Sequence, residues 1–161
     1  MKTYEIRPIQ KSDNVQVAKV VRSVLTDFGV AKTDTTYTDT ALDRMFQTYA
    51  RPRAAYFVVH NKGTIVGGAG ISQLDNNGGD VCELQKMYYL PVARGRGIGR
   101  EMMQKCLAAA TQFGYTAVYL ETMTNMTTAQ KFYQYFGFKY LDAPMGTTCN
   151  NTCPVHMLKK L

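Results

Sequence analysis

The sequence predicts a mixed α/β fold: a central, mostly antiparallel sheet of about seven strands with about four flanking helices, built around one parallel β-α-β unit. Two observations carry the prediction. Residues 55–60, 64–74 and 83–90 are strand-like runs joined by Asn61-Lys62-Gly63 and by an Asn- and Gly-rich turn at 75–80, the signature of an antiparallel meander. The third run then passes Pro91 and a glycine- and arginine-rich turn into an amphipathic helix, which leads to an almost continuous apolar run at 115–122. Such a run suits a strand buried on both faces beside a parallel neighbour. At 161 residues, 45% of them hydrophobic, the chain has room for one domain with a real core, expected to span 1–161.

In order, residues 3–7 alternate as a short strand that Pro8 ends. Ser12-Asp13-Asn14 supplies cap chemistry for a helix over 15–28, with Val17, Val20, Val21, Val24, Leu25 and Phe28 on one stripe and Gly29 as its stop. Residues 30–38 are polar, threonine-rich and aperiodic, and read as loop. Asp39 or Thr40 caps a second helix whose Leu42, Met45, Phe46 and Tyr49 share a face, closed by Pro52. Gly67, Gly68 and Gly70 inside the 64–74 strand indicate a bulge or a close backbone approach. Beyond the β-α-β unit, 127–136 reads as a helix stopped by Gly137. Strands follow at 138–141 and 155–158, around a polar loop at 142–151.

The formal charge of +7 favours an anionic partner. Nucleic acid is not expected: the basic residues are scattered, no aromatic residues alternate with them, and no zinc-finger or RNP-like pattern occurs. No run reaches the length of a membrane span, and the N-terminus lacks the apolar centre of a signal peptide, so the expectation is a cytoplasmic protein with reduced cysteines and no membrane partner. Cys149, Cys153 and His156 lack a fourth ligand and a known spacing, so no metal is expected.

The local charge is more informative than the total. A strand that feeds a helix through a Gly/Arg turn leaves backbone N–H groups unpaired at the positive end of the helix dipole, and Arg94, Arg96 and Arg100 surround that point. This is an anion site, most naturally for phosphate. A Walker loop requires Lys-Ser/Thr after its last glycine, where Ile98-Gly99-Arg100-Glu101 stands. A dinucleotide fingerprint counted from Gly95 meets Arg100 at its third glycine. The remaining pattern is R-x-x-G-x-G, met by Arg94, Gly97 and Gly99.

At this point the chain resembles the GNAT superfamily of acetyl-CoA-dependent N-acetyltransferases. Residues 84–99 look like that superfamily's strand and pyrophosphate loop, and Ala129-Gln130-Lys131-Phe132-Tyr133-Gln134-Tyr135-Phe136-Gly137-Phe138 looks like its A-x-x-x-Y-x-x-x-G-F signature. Tyr4-Glu5-Ile6-Arg7-Pro8 and Asn61-Lys62-Gly63 fall where it has its first strand and second turn, so the resemblance covers nearly the whole chain.

The resemblance implies that the backbone of Gly95, Arg96, Gly97, Ile98, Gly99 and Arg100, with Arg94, holds the CoA pyrophosphate, and that Met87, Tyr88 and Tyr89 pair through their backbone with the pantetheine arm. It places the donor acetyl-CoA against an amine of a small molecule or peptide, by direct attack in a ternary complex. Glu83, eleven residues before Arg94, is the candidate base for the acceptor, or an ordinary strand glutamate. Tyr133, one helical turn after the small Ala129, is the candidate acid for the leaving thiolate, or a packing tyrosine. Asn125 stands one position before the place where the superfamily often has a cofactor-binding asparagine, occupied here by Met126; it either reaches the cofactor or serves the turn. Cys82, by alternation opposite Glu83, and Cys106, on a buried helical stripe, do not look like acylated nucleophiles. By the same resemblance, residues 30–50 and 142–153 flank the acceptor, and a homodimer is among the assemblies implied. The alternative is a non-catalytic acyl-CoA-binding or sensing domain, which would keep the loop without needing Glu83 or Tyr133.

Overall fold

A computed structural model describes residues 3–33, 35–75, 77–146 and 153–161. Its seven-stranded sheet has the order β1-β2-β3-β4-β5-β7-β6. These strands are β1 (Glu5–Pro8), β2 (Ala55–Asn61), β3 (Thr64–Gln73), β4 (Val81–Tyr89), β5 (Ala117–Thr122), β6 (Lys139–Leu141) and β7 (Val155–Lys160). All neighbours are antiparallel except β4 and β5, which are joined in parallel by a crossover helix.

The helices are α1 (Asn14–Asp27), α2 (Thr35–Thr38), α3 (Met45–Tyr49), the crossover α4 (Ile98–Gln112) and α5 (Thr127–Tyr135). On one face of the sheet, Val17, Val21 and Leu25 of α1 and Met45 and Tyr49 of α3 pack on Tyr56 and Val58. On the other, Met102, Met103 and Cys106 of α4 and Tyr133 of α5 pack on Ile71, Leu84 and Val118. Cys82 and Cys106 both lie in this second core, and burial pushes each thiol up to about 12.

Two differences from the expected elements have local causes. The helix expected after Asp39 is split: the Asp39 carboxylate accepts from the Ala41 N–H at 2.9 Å and caps a 3-10 stretch, Thr40–Arg44, before α3 begins. Arg44 at φ −134°, ψ 42° lies off the helical basin and makes the break. The aperiodic 30–38 segment also contains the single helical turn α2.

The three glycines of β3 make room for aromatic rings. A Cβ on Gly67 would stand 2.5 Å from the Tyr89 ring, and one on Gly68 or Gly70 would stand 2.7 or 2.5 Å from Tyr56. The bulge lies beside them. Gly70 pairs with Gln85 and Gly68 with Tyr88, so the extra residue belongs to β4. It is taken up at Lys86, whose φ of 50° is unusual for a residue with a side chain. The buried Tyr56 hydroxyl donates to the Lys86 carbonyl at 2.9 Å and pins it there.

Candidate active site

β4 and β5 pair only where they begin, Val81, Cys82 and Glu83 against Ala117, Val118 and Tyr119. Past that point the bulge turns β4 away and the strands part. The opening is a cleft of about 790 Å³, walled by Leu84, Met87, Tyr88 and Tyr89 from β4 and by Leu120, Glu121 and Thr122 from β5. The α1–α2 connection closes one side with Phe28, Gly29, Val30 and Ala31, and α5 closes another with Ala129, Phe132 and Tyr133. A volume of this order holds a sizeable organic ligand, and the mostly apolar wall suits a thioester arm.

One end of the cleft is the glycine- and arginine-rich turn at the head of α4. Arg94, Gly95 and Gly99 line it. Gly95 and Gly97 have φ of 71° and 76°, the left-handed region that glycine enters freely. Gly97 is the N-cap of α4, and its carbonyl already accepts from Glu101 at 3.2 Å, so the N–H groups of the first helical turn remain for a ligand. Ile98 is buried and anchors the helix start. Arg94 donates through Nε to the Tyr89 carbonyl at 3.0 Å, with its guanidinium 6.0 Å from the Phe28 ring centroid.

The other two arginines turn outward. Arg96 donates to the Val92 carbonyl and stands over Tyr4, while Arg100 donates to the Tyr135 hydroxyl at 2.6 Å. Neither side chain lines the cleft, so what they offer at this end is backbone and general positive charge.

Tyr133 is 8% exposed, on the wall beside Ala129, and burial raises its phenol to about 12, so it holds its proton. Phe132 also lines the cleft. Tyr89 presents a buried hydroxyl without a hydrogen-bond partner among the described residues and carries a phenol raised well above its ordinary value by burial.

Glu83 lies behind the wall rather than on it. It is 7% exposed and accepts from Gln85 Nε2 at 2.8 Å, and Gln85 in turn accepts from the Tyr49 hydroxyl at 2.6 Å. Burial pushes its carboxyl up to about 7, against a smaller opposing effect of the Gln85 hydrogen bond. Asn125 is exposed and is not on the wall; its Nδ2 donates to the Phe28 carbonyl at 3.2 Å and ties the β5–α5 turn to the α1–α2 connection. Met126 takes the wall position instead.

Glu121 went unnoticed in the sequence. Its Oε2 accepts from the Tyr119 hydroxyl at 3.0 Å and faces His156 Nδ1 at 3.1 Å, across the β5–β7 pairing of Glu121 with His156. The signal available was a lone carboxylate inside an otherwise apolar strand. Cys153 also lines the cleft, whereas Cys149 falls outside the described residues. Among the described residues no group of three or more His, Cys, Asp or Glu could hold a metal, and no helix is long and apolar enough to cross a membrane.

A parallel β-α-β unit with splayed strands, an anion cradle at the head of its crossover helix and an apolar cleft between the strands define a GNAT-type acyltransferase. A model of the GNAT acetyltransferase family matches residues 19–138, and the chain belongs to that family. It is 37% identical over 157 residues to the protein named uncharacterized N-acetyltransferase YjgM of Escherichia coli, covering 97% of this chain and 94% of that one. It is 35% identical over 92 residues to the IAA acetyltransferase of Azospirillum brasilense, covering 57% of this chain and 59% of that one. Among solved structures, a GNAT-family acetyltransferase of Staphylococcus aureus superposes with a TM-score of 0.85 at 21% identity, covering 98% of both chains. The PaiA N-acetyltransferase of Thermoplasma acidophilum, solved with coenzyme A, superposes at 0.77 with 17% identity, covering 98% of this chain and 99% of that one.

Proposed function

We propose that this chain transfers an acetyl group from acetyl-CoA to a primary amine by direct attack within a ternary complex. The observation that carries the reading is the cleft itself. It runs from the glycine- and arginine-rich turn at the start of α4, between two parting strands, to the buried Tyr133 phenol on one side and the Glu121 carboxylate on the other, with Glu83 behind the wall. In this reading the amides at the head of α4 and Arg94 hold the pyrophosphate, and the free backbone edge of Met87, Tyr88 and Tyr89 meets the pantetheine arm.

Glu83, with a carboxyl near 7, is poised to take a proton from an amine close to neutrality; its place behind the wall calls for an intervening water. The neutral amine then attacks the thioester carbonyl; as the C–S bond breaks, Tyr133 gives its proton to the departing sulfur, and the proton shed by the new amide nitrogen returns through solvent to the Tyr133 phenolate. A phenol near 12 would be a poor acid towards a thiolate in water. Burial in an apolar cleft disfavours the thiolate as well, in the direction shown by the Cys82 and Cys106 thiols of the adjoining core, which burial raises to about 12. Those raised thiols also argue against Cys82 or Cys106 as an acylated nucleophile.

The test is thiol release from acetyl-CoA against a panel of primary amines, with the product mass confirmed, in wild type and Tyr133→Phe. Turnover that falls sharply while CoA affinity is kept supports the acid role. Acetyl-CoA binding without release to any amine favours the sensing alternative.

A further inference from the structure

Among the described residues lining the cleft, two carry a formal charge: Arg94 at the cradle and Glu121 on β5. In the reading above Arg94 answers to phosphate. Glu121 answers to nothing assigned so far. Its side chain is 2% exposed, and while Oε2 is held by Tyr119 and His156, Oε1 is buried with no hydrogen-bond partner among the described residues. A carboxylate oxygen withdrawn from water and left unpaired is strongly unfavourable, and a ligand that supplies a donor there relieves it.

The neighbouring charges do not serve this purpose. Lys86 reaches toward Asp39, at 3.7 Å, and Glu83, on the same side of the sheet, adds negative charge. His156 already stands against the other oxygen. The rest of the wall is mostly apolar, with Leu84, Leu120, Met123 and Val30 among its residues beside the neutral Thr122 and Cys153, and among the described residues it holds no second carboxylate.

We infer that Glu121 Oε1 is the seat of the acceptor's ammonium group, and that the acceptor is a monoamine on an apolar stem, captured in its protonated form before Glu83 receives the proton. Tyr119 and His156 are positioning residues: they fix Oε2 and leave Oε1 unpaired beside the wall for the ligand. The inference rests on the acyltransferase reading for the identity of the ligand as acceptor, but the seat itself is a property of this wall. It separates the two ends of the cleft by charge, with phosphate at the cationic cradle and ammonium at the anionic strand. It also explains how amines would be chosen over alcohols of the same shape, which bring a donor but no charge.

The experiment uses the full chain, isotopically labelled and loaded with CoA, titrated with n-butylammonium chloride and separately with 1-butanol while backbone amide resonances are followed. The expected result is saturable perturbation centred on β5 with butylammonium, at least tenfold weaker binding of butanol, and at least tenfold loss of butylammonium affinity in Glu121→Gln with CoA affinity unchanged. Equal binding of butanol, undiminished binding in Glu121→Gln, or no saturable response to butylammonium in wild type would each overturn the seat. Should Glu121→Gln fail to fold, the wild-type contrast between ammonium and alcohol still decides. Should CoA fail to bind in calorimetry, the acyltransferase reading falls, and the same contrast on unloaded protein tests the seat alone.

Discussion

Replacing Glu83 by Gln should make the fold more stable, and by an amount that depends on pH. Glu83 is 7% exposed, and burial lifts its carboxyl from 4.5 to about 7. As pH rises through 4.5 the unfolded chain gives up this proton first, while the folded chain keeps it until about 7. The unfolded state therefore gains stability relative to the folded one across that window, and the difference is constant above it. At about 1.4 kcal/mol per pH unit, the wild type should lose about 3 kcal/mol to this one group between pH 4 and pH 8. Gln cannot ionise, and its side-chain oxygen can still accept the Gln85 hydrogen bond. Urea denaturation of both proteins from pH 4 to pH 8 should give near-equal stabilities at the acid end, with the variant about 3 kcal/mol ahead at the alkaline end. Parallel profiles would show that Glu83 is not desolvated as described. The same titration should govern catalysis: activity should rise with pH to about 7 in wild type, and the variant should lose activity that is partly recovered at high pH, where the amine is already neutral.

Tyr133→Phe should lower kcat by about 10²-fold, as expected for loss of a general acid, with CoA affinity unchanged by calorimetry. Gly70→Ala would put a Cβ 2.5 Å from the Tyr56 ring and 2.6 Å from the Ala55 carbonyl oxygen, and should cost roughly 1–3 kcal/mol in denaturant unfolding, with weaker CoA binding because Tyr56 pins the β4 bulge. Asp13→Asn should destabilise by about 1.5–3 kcal/mol, since Asp13 takes two hydrogen bonds from Arg7, at 2.7 and 3.0 Å. Burial raises the Asp13 carboxyl but Arg7 and the Gln10 N–H lower it further, so its contribution is complete at neutral pH and is lost as pH falls below about 4. A stability difference between Asp13→Asn and wild type that does not shrink in acid would contradict that account.

The turn at the head of α4 was legible because its physics is written in residue types: glycines where φ is positive, a proline before the turn, arginines around it. The two cores were legible from periodicity alone, as Val17, Val21 and Leu25 on α1 and Met102 and Cys106 on α4 show. The bulge was half legible. Three glycines in β3 announced an irregularity, yet the extra residue sits opposite them at Lys86, whose type says nothing of a φ of 50°. Glu121 stayed hidden for another reason. Its meaning depends on His156, a strand neighbour 35 positions later in the chain, and on the parting of β4 from β5, which no local pattern encodes. Asn125 was ambiguous by type, suiting a ligand contact or a turn, and its Nδ2 bond to the Phe28 carbonyl depends on a connection nearly a hundred positions earlier.

Calorimetric titration of the chain with acetyl-CoA tests the central claim most directly. The cleft between β4 and β5, with its cradle at Gly95–Gly99, predicts saturable binding of one acetyl-CoA per chain, weakened when Gly97, at φ 76°, is replaced by a residue with a side chain. No detectable heat at millimolar acetyl-CoA would contradict it.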